Sequence, residues 1–190
     1  MALALPAAAQ ENSALDQLTR REQLLGWEAV GRIDIEGGGF CTGTLIATNL
    51  VLTAGHCVFE KDGTPVAVSR IRFRAGLVNG RAIAEMKVAR TVADPAYLPT
   101  APGTPATVRH DVALLELEGD IPAAIAAPFV VATPGTDDTV SVVSYAAGRE
   151  EALSWQKTCQ VLGQENGLIA VDCDVSFGSS ARRAGPLVRR

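Results

Sequence analysis

From Trp27 onward the chain is written in short β-type runs separated by turn residues, and no other feature limits its fold as much. Ala29-Val30-Gly31-Arg32-Ile33-Asp34-Ile35 alternates before Glu36-Gly37-Gly38-Gly39 turns; residues 40–46 and 50–53 follow, joined through Ala47-Thr48-Asn49. Residues 69–74 alternate polar and mostly apolar side chains, as the period-two pleat of a half-buried strand requires. Residues 82–92 and 111–118 read as further strands. Between them, residues 94–109 form a Pro-rich loop that cannot be a central strand. After Glu118-Gly119-Asp120, strands are predicted at 129–131, 140–145, 155–162 and 168–173. Such a chain is all-β, a sandwich or barrel, in two clusters that divide near residues 119–127. Ahead of the strands, the spacing of Leu15, Leu18, Leu24 and Leu25 among charges predicts a short amphipathic helix over residues 11–26.

Composition narrows the class. The 190 residues can bury a sizeable core, and with 5% aromatics that core must be built mainly from Val, Leu, Ile and Ala. A net charge of -4 argues against a general nucleic-acid binder, and no apolar run approaches the roughly 18 residues of a membrane span. The four cysteines, Cys41, Cys57, Cys159 and Cys173, include no C-x-x-C pair, which argues against zinc ribbons and thioredoxin-type motifs. They fit two local disulfides, Cys41–Cys57 and Cys159–Cys173, among the three possible connectivities. Each would close a loop of about 15 residues and contribute roughly 3 kcal/mol in the chain-entropy account. That needs an oxidising compartment. The opening residues point to one: Ala7-Ala8-Ala9 has the small-residue pattern of a signal-peptide cleavage site, with Gln10 as the first mature residue, although a basic n-region is missing and the alternative is a frayed Ala-rich terminus.

Chemistry concentrates around Leu52-Thr53-Ala54-Gly55-His56-Cys57, where one of only two histidines follows an apolar run and precedes a cysteine. Cys41 lies upstream in Phe40-Cys41-Thr42-Gly43-Thr44-Leu45-Ile46, and His110-Asp111-Val112-Ala113-Leu114-Leu115 lies downstream. Acyl transfer needs a nucleophile, a base, a group that fixes the base's tautomer, and donors for the oxyanion. The order His56, Asp111, Ser180 offers candidates for the first three.

These motifs resemble the histidine and aspartate motifs of the trypsin-like (chymotrypsin-fold) serine peptidases, and the four cysteines resemble the bacterial secreted members. The resemblance covers roughly residues 28–180. It implies a chymotrypsin-like double β-barrel, with residues 28–120 in the first barrel and residues 121–190 in an incomplete second one. Residues 10–27 would precede the barrels, and residues 1–9 would be the remnant of a signal peptide. His56 would act as general base and then general acid, Asp111 would hold the imidazole, and the Cys41–Cys57 bridge would pin the histidine loop.

Cys173-Asp174-Val175-Ser176-Phe177-Gly178-Ser179-Ser180 resembles the family's approach to its nucleophile. On that register Ser180 attacks the substrate, and the backbone N–H groups of Gly178 and Ser180 form the oxyanion hole. Asp174 falls where members that cleave after Arg or Lys carry their pocket aspartate, or else it is a turn residue at a strand end. Ser179 replaces the acid of members activated through a freed N-terminus. The family continuation, Gly, a small residue and Pro, is replaced by Ala181-Arg182-Arg183. A second register aligns Ala184-Gly185-Pro186-Leu187-Val188 with the family's Gly-Gly-Pro-Leu-Val and puts Arg183 in the serine's place. Four of the seventeen basic residues fall in the last nine positions, a composition shift that predicts a truncation or frameshift just after Ser180.

The reading is a secreted or periplasmic serine endopeptidase acting on polypeptides through an acyl-enzyme, without cofactor or metal. The alternative is an inactive, truncated pseudo-peptidase. A metal site on Cys41, His56 and Cys57 is the weakest reading, because strand neighbours point to opposite faces.

Overall fold

The computed structural model describes residues 15–135, 138–173 and 187–189. Six strands, β2 (Val30–Ile35), β3 (Phe40–Ala47), β4 (Leu50–Thr53), β5 (Ile71–Ala75), β6 (Ala84–Ala93) and β7 (Ala113–Leu117), follow β1 (Asp16–Gln17). They close a barrel in the order β2-β3-β4-β7-β6-β5, every pairing antiparallel. Alternation does the sorting. In β5, Ile71, Phe73 and Ala75 are buried while Arg72 and Arg74 face outward, where they pair with Glu85, and Arg74 with Asp34 as well. Ile33, Leu45, Val51, Phe73 and Leu115 fill the interior with no exposed surface. Gly31 and Gly43 sit opposite each other in the β2–β3 ladder. A Cβ on Gly43 would stand 2.6 Å from Val51 Cγ1, and one on Gly31 would run into the Phe73 ring, so both positions are open only to glycine.

The remaining strands are β8 (Val130–Ala132), β9 (Thr139–Ala146), β10 (Arg149–Glu165), β11 (Leu168–Val171) and β12 (Leu187–Arg189). β10 pairs with β9, β11 and β1, while β8 pairs with β12; among the described residues this second sheet does not close. The protein is therefore all-β, with one closed barrel and a partial second sheet, as expected. β10 runs well past the predicted 155–162, and its register shifts against β9 explain why: bulges break the alternation that would have revealed its length. It turns into β11 through Asn166 (φ 52°) and Gly167 (φ 79°), the two left-handed residues of a two-residue hairpin turn.

The predicted N-terminal helix is not there among the described residues. Asp16 and Gln17 add a short strand to β10 at Trp155 and Ser154, the Leu18 N–H bonds to the Leu153 carbonyl at 2.7 Å, and only Arg21–Leu24 coils, as a single 3-10 turn. Helix periodicity presumes one apolar face, but Leu18 and Leu24 bury at two ends of an extended path while Leu25 stays 72% exposed. The open edge of β10 offers this segment backbone partners that a helix would forgo. Arg21 donates to the carbonyls of Gly76 (2.9 Å) and Arg81 (3.0 Å), so the segment lies across both halves of the fold.

The same junction is held from within. Tyr145 on β9 has no exposed surface; its hydroxyl donates to the Leu77 carbonyl (3.0 Å) and its N–H donates to Thr42 Oγ1 of the barrel (2.9 Å). Trp27 lies between Phe129 and Trp155 at ring-centroid distances of 5.9 and 5.6 Å. The Pro-rich loop carries one short helix, Pro105–Val108, with proline where the first turn tolerates a missing N–H. No helix among the described residues is long and apolar enough to cross a membrane.

Candidate active site

β4 and β7 pair antiparallel with Thr53 opposite Ala113. His56 comes three residues after Thr53 and Asp111 two residues before Ala113, so both leave the same end of one strand pair. This is how residues 55 apart in sequence meet. After Thr53 the chain makes a 3-10 turn, Gly55–Val58, whose Cys57 N–H bonds back to the Ala54 carbonyl. Two ties fix that turn to β3: the Cys41–Cys57 disulfide, and the buried Thr53 hydroxyl donating to the Thr42 carbonyl at 2.9 Å.

Asp111 grips His56 twice. Its Oδ1 accepts the His56 backbone N–H at 2.7 Å, and its Oδ2 lies 2.8 Å from the ring Nδ1. Burial alone would push this carboxyl up. The hydrogen bond and charge of the His56 ring, with the backbone N–H groups of His56 and Gly55, outweigh burial and leave the carboxyl below its ordinary value. Asp111 is thus ionised at neutral pH and can only accept hydrogen bonds, so Nδ1 must carry the proton. Among the described residues no partner meets the Nε2 lone pair of neutral His56, on a side chain that is 52% exposed. A positioned, oriented base facing solvent is what this arrangement provides.

Tyr97 walls the carboxylate from the Pro-rich loop. A Cβ at Gly55 would come within 3.1 Å of both the Tyr97 ring and Asp111 Oδ1, so the missing side chain lets the ring close over this spot. Burial, and then the Asp111 charge, push the Tyr97 hydroxyl up to about 12. The ring also tilts against Phe59 at 5.6 Å.

Of the sequence candidates, the structure brings His56, Asp111, Cys41 and Cys57 together. Cys159 and Cys173 form the second disulfide. Ser180, Gly178 and Asp174 lie outside the described residues. Cys41, His56 and Cys57 do converge, with ligand atoms all within 4.8 Å of one another. The argument from opposite strand faces fails, because His56 and Cys57 occupy a 3-10 turn instead of a strand; both sulfurs, however, are consumed in the disulfide. Sequence reasoning missed Tyr97 and Asp94. The second histidine, His110, has its Nδ1 3.1 Å from Asp94 Oδ2. The chain's mere two tyrosines and two histidines were the available signal.

The geometry has parallels among known proteins. In overall shape the chain is similar to a Glu endopeptidase (TM-score 0.72, 20% identity, covering 92% of this chain and 78% of that one). It is also similar to an inactivated protease paralogue of the scabies mite (TM-score 0.65, 15% identity, 89% and 78%). A third such structure is the protease Anisep from Arthrobacter nicotinovorans (TM-score 0.62, 19% identity, 80% and 74%). These likenesses show the chymotrypsin fold, which a Glu endopeptidase and an inactivated protease paralogue share. The trypsin family model matches residues 19–170, and on that match the chain belongs to the trypsin family, the trypsin-like serine peptidases.

Proposed function

We propose that the protein is an exported serine endopeptidase whose triad is His56, Asp111 and Ser180. The observation that carries this reading is the double grip of Asp111 on His56, which fixes the base in the tautomer that serine activation requires. His56 Nε2 takes the Ser180 hydroxyl proton as the oxygen attacks the substrate carbonyl, and then gives it to the leaving amine. Such proton transfers contribute roughly 10²–10⁴-fold in rate. The N–H groups of Gly178 and Ser180 receive the oxyanion, a contribution of about 3–4 kcal/mol where side-chain donors of this kind have been removed. Water then hydrolyses the acyl-enzyme, with His56 again as base. On this reading the substrate binds between a first β-barrel of residues 28–120 and a second of residues 121–190, and Asp174 is the candidate that would favour a basic side chain before the scissile bond. Two disulfides support an oxidising, extracellular or periplasmic setting.

A second reading has its own support. β12 begins at Leu187, four residues after Arg183, the position at which the Ala184-Gly185-Pro186-Leu187-Val188 register would start the strand that follows the nucleophile. On that register Arg183 replaces the serine and the chain is a pseudo-peptidase. Stopped-flow release of nitrophenol from an active ester decides between them. The endopeptidase reading predicts a burst of one nitrophenol per protein that is abolished in Ser180→Ala. A folded protein without a burst supports the second reading.

A further inference from the structure

We infer that Asp94 is a positioning residue for the His56–Asp111 pair, an inference that rests on the catalytic reading above. Asp94 directly follows β6, whose last residue, Ala93, pairs with Ala113 of β7, so it stands beside the segment that carries Asp111. Four contacts radiate from it. Its N–H donates to the Val112 carbonyl at 3.0 Å, and its carbonyl accepts the Tyr97 N–H at 2.9 Å. Its Oδ1 accepts the Ala96 N–H at 2.8 Å, and its Oδ2 lies 3.1 Å from His110 Nδ1. Residues 110 and 112 are the immediate neighbours of Asp111 in the chain. Asp94 therefore clamps both flanks of the catalytic carboxylate and also sets the start of the turn from which Tyr97 reaches over it.

The chemistry of the clamp is consistent with an ionised acceptor. The Ala96 N–H, and then His110, hold the Asp94 carboxyl below its ordinary value. An ionised Asp94 accepts only, so His110 donates from Nδ1, the same tautomer logic that operates at Asp111. Two histidine–aspartate pairs thus stand side by side at the ends of three neighbouring strands. The inner pair meets substrate, and the outer pair fixes the angle at which Asp111 presents its two oxygens. Because a misplacement of about 1 Å remote from the reacting atoms can cost on the order of 10²-fold, a clamp at this distance is sufficient to matter.

The test compares Asp94→Ala, His110→Ala and His110→Asn in the full chain. Asparagine places an amide N–H near the position of imidazole Nδ1, so it is the conservative rescue. The kinetic readout is kcat and KM on a peptide ester. The second readout is the far-downfield Nδ1 proton of His56 in the NMR spectrum, which reports the His56–Asp111 hydrogen bond whether or not the protein turns over. We expect both alanine variants to lower kcat by about 10- to 100-fold with KM within about twofold, to shift or broaden the His56 proton, and His110→Asn to restore both. An unmoved His56 proton, an unchanged kcat, or no rescue by asparagine overturns the proposal. If Asp94→Ala does not fold, the His110 pair of variants decides alone. Absence of turnover in the wild type would refute the catalytic reading, while the NMR comparison would still judge the clamp.

Discussion

Replacing Tyr145 by phenylalanine tests the junction between the barrel and the second sheet, and the expected effect vanishes at high pH. The ring has no exposed surface, and its hydroxyl donates to the Leu77 carbonyl at 3.0 Å. Phenylalanine keeps the packing and leaves that carbonyl unpaired, which costs about 1–2 kcal/mol at pH 7. For a chain of this length the melting temperature should fall by roughly 2–8 °C. Burial also pushes the Tyr145 hydroxyl up, above its ordinary value. The folded state then holds its proton while an unfolded tyrosine releases it near pH 10, so wild-type stability from this group is intact below pH 10 and is lost as pH rises further. By pH 11 that loss reaches about 1.4 kcal/mol, and phenylalanine cannot suffer it. Urea unfolding at pH 7, 9 and 11 should show the variant's deficit steady to pH 9 and close to zero at pH 11. A deficit that stays constant to pH 11 would refute the buried, proton-holding hydroxyl.

Three further outcomes follow from the same coordinates. Replacing Cys41 and Cys57 together by serine opens a loop with a sequence separation of 16 and should lower stability by about 3 kcal/mol, measured by denaturant titration, with catalysis falling as the His56 turn loosens. Gly31→Ala should cost about 1–3 kcal/mol by calorimetry, because its Cβ would meet the fully buried Phe73 ring and stand 2.7 Å from the Arg74 carbonyl oxygen; wild-type stability would contradict the packing. Asp111→Asn presents an amide N–H₂ to Nδ1, favours the wrong tautomer, and should lower kcat by about 10⁴-fold with the fold intact by circular dichroism. A loss below tenfold would mean that Asp111 does not orient the base.

The barrel was readable because its strands obey a two-residue period: the runs around Ile33, Val51, Phe73 and Leu115 are those that bury. The histidine and aspartate motifs were legible through their resemblance to those of a known family; the first follows such a run and the second precedes one. What the one-dimensional pattern could not carry was partnership. The leucines from Leu15 to Leu25 have a helix-like spacing, yet Leu18 and Leu24 serve separate parts of the core, and the free edge of β10 decided their conformation. Asp94 and Tyr97 lie in a Pro-rich loop without periodicity, and only the β6–β7 register brings them to Asp111. The cysteines left three pairings open, and the two local ones are those that form. Register shifts against β9 at one end of β10 and against β11 at the other concealed its length from any alternation test.

The central claim is that His56, held by Asp111, activates Ser180. Labelling with a fluorophosphonate, followed by peptide mapping of the adduct by mass spectrometry, tests it most directly. The account predicts one phosphonate per chain, on Ser180, absent in Ser180→Ala and strongly slowed in His56→Ala. A folded protein that takes up no label, or takes it up on another residue, would contradict it.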